Sequence, residues 1–456
     1  MVVAVLAGAT GFALLAGGAQ AAPQAYRADQ APPPAAAVLQ PADTGGTVGM
    51  PGQAGLQAAL APLLQDKALG TLTFAISDGA TGKLLLGSGE GSPATPASTT
   101  KLATAVAALD LLPPTTRLAT RVVAGATPAD ITLVGGGDPT VTGLPLDQVR
   151  IGGAPVDADS APASLAELAR QTAVALKAAG VATVHLAYDT SMYTGPVLHK
   201  YHDAMNIAAV VPLMVDEGRI DPRSPDEAPA RTFDPAGQAA DEFAQLLGAQ
   251  GVAVDGKAKA GQAQPGAAQL AQVLSPTLPR LVDRMLTTSD NTLAEAVARQ
   301  VALAAHQPPS FDGAAAAVVQ TLTKLGVPMQ GVSINDGSGL HLQNAIPPLV
   351  LADLLALAAS PDHPELRPVL TGLPIGAFSG TLIRRFTPAQ GSADGAGVVH
   401  AKTGSLSGVN TLAGTVVDAD GRLLVFALMT RTPAGADQAR AAMDRIVARL
   451  TACGCG

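Results

Sequence analysis

Two strand–turn–strand patterns, one near each end of the chain, constrain the fold more than any other feature. "GTLTFAISDGATGKLLLGSG" reads as a strand, an Asp-Gly-rich turn and a second strand. "LAGTVVDADGRLLVFALMT" repeats the pattern around Asp420-Gly421. A helical pattern over Leu56 to Leu64 precedes the first hairpin. Another over Ala436 to Leu450 follows the second, with Ala439, Met443, Ile446, Val447 and Leu450 on one face. Hairpins of the same form at opposite ends can meet in one antiparallel sheet, with the first and last helices packed on it. The expected class is therefore α+β.

At 456 residues the chain is too long for one ordinary core. The middle supplies the material for a second. "DITLVGGGDPTVTG" is a strand running into a Gly-rich turn, and "SLAELARQTAVALKAAGV" is an amphipathic helix with a Gly stop. "TVHLAYDTSMY" reads as a strand, and the Pro- and charge-rich "RIDPRSPDEAPARTFDPAG" as a loop or domain edge. The expected organisation is an antiparallel-sheet domain flanked by helices, built from 53–120 and 275–452, interrupted by an inserted mixed α/β domain over 121–274.

The ends read differently. Residues 1–22 carry no charge and include Ala19-Gln20-Ala21, an A-x-A cleavage pattern, so they form a signal peptide or an uncleaved membrane anchor. No Lys or Arg precedes the apolar run, which leaves both open. Residues 23–52 are a Pro/Ala-rich linker. Cys453 and Cys455 are too close together to staple a domain, and two thiols alone make a poor metal site; they read as a frayed tail. A net charge of -8 without a basic stripe argues against a nucleic-acid partner. The absence of Trp argues against a carbohydrate site of stacked indoles. None of the 7 histidines falls in an H-E-x-x-H pattern, so neither a metal nor another cofactor is expected.

Three short motifs carry the chemistry. In the first, Ser98-Thr99-Thr100-Lys101, the spacing puts Ser98 and Lys101 on one face of a helix whose Leu102, Val106 and Leu109 mark a buried side. A serine hydroxyl needs a base to take its proton, and a buried lysine with a lowered pKa can be that base. The second, Ser289-Asp290-Asn291, lies between two helical patterns, where Ser289 can relay a proton and Asn291 can hold an amide. The third, Lys402-Thr403-Gly404, follows a strand through Val398 and Val399. It offers a charge and a hydroxyl to a carboxylate, with a glycine that permits close approach. Each motif alone has a bland reading as a cap or a solvated side chain; the set in this order does not. "DGSGL" at Asp336 to Leu340 lacks a lysine and a following helix, so it reads as a structural turn rather than a phosphate loop.

With these motifs and the stretches "PASTTKL", "LVGGGDPT", "MLTTSDN", "DGSGL", "LPIGAFSGTLIRRF" and "AKTGSLSGVNTLAG", the chain resembles the class C low-molecular-mass penicillin-binding proteins, the D-alanyl-D-alanine carboxypeptidases and endopeptidases typified by penicillin-binding protein 4. The resemblance covers nearly the whole chain beyond the linker and implies a β-lactamase/transpeptidase-like fold. It implies a serine hydrolase that acts through an acyl-enzyme on peptidoglycan stem peptides, binds β-lactam antibiotics and works outside the cytoplasm. It makes Ser98 the nucleophile, Lys101 its base and Ser289 the proton relay. Asn291 would hold the substrate amide, Lys402 and Thr403 the terminal carboxylate, and the backbone N–H groups of Ser98 and Ser405 the oxyanion. Asp189 would stand where an acid of the inserted domain meets the amine of a diaminopimelate residue. The chain departs from the pattern there: no Trp follows "DTS". A β-lactamase of the same fold and a catalytically idle wall-binding protein are the alternatives; the first needs a positioned deacylating water, the second a broken motif set.

Overall fold

The computed structural model describes residues 49–202, 205–224, 226 and 228–455. The uncharged N-terminal segment and most of the linker expected to follow it lie outside these. Among the described residues no helix is long and apolar enough to cross a membrane.

The two terminal hairpins do meet. Strands β1 (Thr71–Asp78) and β2 (Leu84–Ser88) pair with β11 (His400–Leu406), β12 (Val409–Val417) and β13 (Leu423–Arg431) in one five-stranded sheet of order β11-β12-β13-β1-β2. The β1·β13 pairing that closes it is antiparallel, with Phe74 opposite Leu428 and Ile76 opposite Phe426. Alternation along these strands feeds two cores. Phe74, Ile76, Leu412, Phe426 and Leu428 face α1 (Gln53–Leu64) and α10 (Ala436–Thr451), and all five predicted apolar positions of α10 are buried there. Ala75, Ala413, Val425, Ala427 and Met429 face the other way. There α2 (Thr100–Leu111), α5 (Leu278–Thr288), α6 (Asn291–Ala304), α7 (Phe311–Lys324) and α8 (Pro348–Ala359) fill the second core. The fold is the expected antiparallel sheet flanked by helices. Small residues on that second face let α8 lie close to the central strands.

Helix α2 differs from its expected form. Every residue from Thr100 to Leu109 is buried, not one stripe. An Ala-rich helix can be surrounded because no side chain demands an exit to water, apart from Lys101 and the threonines.

A second sheet comprises β3 (Ala119–Ala124), β4 (Asp130–Val134), β7 (Thr183–Asp189), β8 (Ala253–Val254), β9 (Lys259–Ala260) and β10 (Gln269–Leu274). Strands β3, β4 and β10 pair antiparallel, whereas β7 runs parallel to β4, β8 and β9. Between β4 and β7 lies α3 (Leu165–Ala178), capped by Ser164, whose hydroxyl accepts the Glu167 N–H at 3.2 Å. Helix α4 (Pro235–Ala249) connects β7 to β8. A small hairpin, β5 (Arg150–Ile151) and β6 (Ala154–Pro155), lies outside both sheets. The remaining short helix, α9 (Pro368–Thr371), packs on α5.

The cysteine tail is not frayed. Cys453 and Cys455 form a disulfide, Cys453 is buried against the α1–α10 core, and the Cys455 carbonyl accepts the Gly52 N–H at 2.8 Å. The tail thus closes over the start of α1, a long-range contact that composition cannot reveal.

Near the same face Arg385 donates through Nε to Asp444 at 3.0 Å, with the Asp444 side chain fully buried. Burial raises the Asp444 pKa even against the arginine, so the pair sits near balance until one member is lost. Asp444→Ala, which strands the guanidinium, is expected to cost about 3 kcal/mol in urea unfolding; a loss below about 1 kcal/mol would show that Arg385 finds water instead.

Candidate active site

Ser98 lies in a tight turn (Ala97–Thr99) immediately before α2, not on the helix itself. Ala97 holds a left-handed backbone, φ 49°, a strained state for a residue with a Cβ. Two glycines allow the surroundings to close on this turn. A Cβ on Gly404 would come within 2.8 Å of the Pro96 carbonyl oxygen and 3.0 Å of the Ser98 nitrogen. A Cβ on Gly339 would lie 1.9 Å from the Ala97 carbonyl oxygen. The glycine of the third motif therefore admits the chain's own Pro96–Ser98 turn. Thr411 on β12 fastens that turn, donating to the Pro96 carbonyl at 2.8 Å.

Lys101 is fully buried and has three acceptors: Ser98 Oγ at 3.0 Å, Asn291 Oδ1 at 2.7 Å and the Ser338 carbonyl at 2.7 Å. Two of these are amide oxygens, which can only accept. When Lys101 is neutral, its two remaining N–H groups stay on them and its lone pair faces Ser98. Burial pulls its pKa down to about 8, while the negative potential of Asp290, Asp336 and Glu295 limits the fall.

The second motif sits between α5 and α6. Ser289 adopts a left-handed backbone, φ 59°, at the end of α5. Asp290 caps α6 by accepting the Leu293 N–H at 2.7 Å. That geometry sends Ser289 and Asn291 towards different lysines. Lys402 donates to Ser289 Oγ at 2.9 Å, and Lys101 to Asn291 as above. The Asn291 amide also donates to the Asn206 carbonyl at 2.9 Å. The third motif lies inside β11, not at its end. Lys402 is buried and donates to its neighbour's carbonyl, Thr403 O, at 2.8 Å. The Thr403 hydroxyl lies 2.8 Å from that of Thr381. Ser405 is exposed one residue beyond Gly404, its hydroxyl accepting from Arg440 at 3.0 Å. Six of the eight predicted site residues thus meet through hydrogen bonds, in two groups joined by the Ser289–Asp290–Asn291 loop, with Ser405 beside them on β11.

Asp189 stands elsewhere. It ends β7 of the second sheet, and its two carboxylate oxygens accept the N–H groups of Ser191 at 2.7 Å and Ala263 at 2.8 Å. Those bonds give it a turn-holding job.

Sequence reasoning missed Thr381, Asn206 and Ser338. Thr381 and Ser338 lie inside stretches already singled out, "LPIGAFSGTLIRRF" and "DGSGL", but Ser338 and Asn206 act through carbonyls, which no residue type marks. Among the described residues, His202, Glu295 and Asp336 bring ligand-type atoms within 4.8 Å of one another. Asp336 already accepts from His202 Nε2 at 2.7 Å, the His341 N–H at 2.7 Å, the Gly339 N–H at 2.9 Å and Asn344 at 2.6 Å. Glu295 accepts the Ser338 N–H at 2.8 Å. The group is a hydrogen-bonded support that aims the Ser338 carbonyl at Lys101.

A family model described as the D-Ala-D-Ala carboxypeptidase 3 (S13) family matches residues 56–229 and 221–453. The chain belongs to this family. It is 37% identical to a carboxypeptidase of Mycobacterium tuberculosis over 438 residues, 93% of this chain and 90% of the relative. A carboxypeptidase of Mycolicibacterium smegmatis is 36% identical, again over 93% of this chain and 90% of the relative. Among solved structures, penicillin-binding protein 4 of Haemophilus influenzae shares the fold, with a TM-score of 0.67 over 85% of this chain and 98% of that one at 21% identity. The resemblance to class C penicillin-binding proteins holds at the level of family and fold.

The lysine geometry predicts a pH dependence. Only neutral Lys101 can accept the Ser98 proton, so acylation of Ser98 by benzylpenicillin is expected to rise through about pH 8 and level off above it. The folded value lies below the ordinary 10.5, so between the two the unfolded chain binds more protons, and Lys101's own contribution to stability rises with pH across that window. Stopped-flow acylation that stays flat between about pH 6 and 9 would exclude Lys101 as the base.

Proposed function

We propose that this chain is a serine-type D-alanyl-D-alanine carboxypeptidase that works through an acyl-enzyme on Ser98. The observation that carries the reading is the buried Lys101, held by two carbonyl acceptors so that its third position meets Ser98 Oγ at 3.0 Å. Ser98 Oγ attacks the carbonyl of the penultimate D-Ala while its proton passes to Lys101. The tetrahedral oxyanion is met by the backbone N–H groups of Ser98 and Ser405. Close packing of Gly404 against the Ser98 nitrogen, which puts β11 beside the nucleophile turn, supports that assignment.

Collapse of the intermediate breaks the C–N bond. The leaving D-Ala amine takes a proton from the Ser289 hydroxyl, which Lys402 replenishes across their 2.9 Å contact. Water then attacks the ester, giving a proton back to Lys402 through Ser289, and the C–O bond breaks as Lys101 returns its proton to Ser98 Oγ, which releases the shortened peptide and restores both lysines. In this reading Thr403, with Lys402 behind it, receives the terminal carboxylate, and Thr381 orients the Thr403 hydroxyl. Asn291 keeps one amide N–H for the substrate beside the one given to Asn206. The same attack on a crosslinked stem peptide would give endopeptidase activity.

The natural substrate in this proposal is the peptidoglycan stem peptide, which places the action outside the cytoplasm. A β-lactam presents a carbonyl and a carboxylate in the same relation and would acylate Ser98. One solved relative, penicillin-binding protein 4 of Haemophilus influenzae, is seen complexed with a β-lactam. In this proposal Asp189 holds the chain at Ser191 and Ala263 through its two oxygens.

Intact-protein mass spectrometry after mixing with benzylpenicillin, followed by peptide mapping, tests the assignment. A long-lived adduct on Ser98, abolished in a folded Ser98→Ala variant, is the expected result. An adduct that survives Ser98→Ala would sink it. An adduct gone within seconds, with penicillin consumed, would make the chain a β-lactamase, and neither adduct nor turnover would make it an idle wall protein.

A further inference from the structure

The most strained stretch of backbone outside the nucleophile turn lies in the 3-10 turn Asp216–Gly218. Three consecutive residues there, Asp216, Glu217 and Gly218, have φ of 48°, 58° and 69°. Two are not glycine, so the conformation costs free energy that the surroundings must offset. They do so through backbone bonds to the "GDPTV" segment: Glu217 N–H donates to the Pro139 carbonyl at 2.8 Å and Asp216 N–H to the Val141 carbonyl at 2.7 Å. The Asp216 carboxylate accepts from Thr142 Oγ1 at 2.6 Å and the Gly143 N–H at 3.1 Å. The turn is clamped on both sides.

What the clamp delivers is one buried side chain. Glu217 is 1% exposed. Its carboxyl group meets the Arg284 guanidinium, from the last turns of α5, and Arg219 at 2.8 Å. It also lies beside the carboxyl group of Asp290, close enough to share a proton with it. Arg231 closes the other side by donating to the Glu217 carbonyl at 2.6 Å. Glu217 therefore bridges the segment that follows β7 to the Ser289–Asp290–Asn291 loop at two points: the helix before it through Arg284, and its central residue Asp290.

We propose that Glu217 is a positioning residue for acyl transfer, fixing the Ser289–Asp290–Asn291 loop through its buried contacts with Arg284 and Asp290. Asp290 lies between the relay serine and the asparagine that holds Lys101, and its other carboxyl oxygen caps α6. A shift of Asp290 would move Ser289 away from Lys402 and Asn291 away from Lys101. A carboxyl–carboxylate hydrogen bond needs one shared proton. Facing three arginines, Glu217 stays ionised; burial and the Glu217 charge raise the Asp290 pKa to about 6, so below that pH Asp290 carries the shared proton, and above it Arg219 and Arg231 hold both carboxylates. The other charged groups around the pair are Asp216, on its own turn, and Asp138, from the turn after β4. Asp290 in turn acts on Lys101 through space. This inference rests on the reading of Ser98 as nucleophile.

The test is the acylation of the full chain by benzylpenicillin in Glu217→Ala and Glu217→Gln variants, measured as a function of concentration and between about pH 5 and 9. The expected result for Glu217→Ala is a fall of about 10-fold or more in the limiting acylation rate, with the non-covalent dissociation constant within about 2-fold of the wild type, because Glu217 touches no substrate. Glu217→Gln keeps a group that can bond both Arg284 and Asp290, and should restore most of the rate. It removes the like charge, so any inflection near pH 6 should move down towards the ordinary carboxylate range. If Glu217→Ala fails to fold, the near-isosteric Gln variant decides alone: a pH profile identical to the wild type overturns the inference. Wild-type rates in both variants overturn it too. Failure of the wild-type chain to form a Ser98 adduct would instead overturn the functional reading on which it rests.

Discussion

A cationic side chain buried without a carboxylate in direct contact is the constraint around which this structure is arranged. Lys101 lies in a helix enclosed on every side, and an ammonium group there is tolerable only if each N–H finds an acceptor. The three acceptors come from three places: the turn before α2, the start of α6 and the turn at Asp336–Leu340. Satisfying one lysine therefore fixes the relative positions of three segments far apart in sequence. The same satisfaction leaves Ser98 as the one partner able to donate in return, so the stability requirement and the chemical requirement are met by one set of bonds.

The second lysine repeats the logic on the sheet. Lys402 is buried in β11 and bonded to Ser289, which ties the sheet to the α5–α6 connection. The two lysines thus hold the two ends of the Ser289–Asp290–Asn291 loop from opposite sides. Left-handed backbones at Ala97 and Ser289 are the local cost of aiming both serines into the space between them. Gly339 and Gly404 relieve the crowding that follows, because any Cβ there would strike the Pro96–Ser98 turn.

Much of this was legible in the sequence, and the reasons differ by element. The terminal hairpins declared themselves through runs of β-branched and apolar residues around Asp-Gly turns, and α10 through its single apolar face. The S-x-x-K, S-D-N and K-T-G motifs each require particular side chains, so the candidate side chains could be named one by one. What escaped were contacts made by backbone atoms or across the fold. The carbonyls of Ser338 and Asn206 carry no side-chain signature. Helix α2 looked amphipathic because alanines count weakly in a periodicity, yet their small size is what lets α6, α7 and α8 surround it. The cysteine tail reads as frayed because nothing in two thiols separated by one glycine announces that their partner is the start of α1. Glu217 gave no signal at all: one acid in a Pro-rich neighbourhood resembles any surface loop charge until the fold buries it.

The acids near Lys101 explain why its pKa settles where a base can use it. Burial alone favours neutral lysine and would carry the value further down, leaving a weaker base. Asp290, Asp336 and Glu295 oppose that fall. Their number cannot grow freely, since each ionised carboxyl so close to the lysine stabilises the charged form that is unable to accept a proton. Asp336 is committed to the donors of its own turn and to His202, and Glu295 to the Ser338 amide. Asp290 is the member that Glu217 acts on directly: burial and the Glu217 charge raise its pKa to about 6, so it is ionised where Lys101 titrates and adds to that opposition. The acid that reaches in from beyond β7 therefore bears on Ser98 only through two links, Asp290 and Lys101. A centre built this way can have its base strength set by a segment that never meets the substrate.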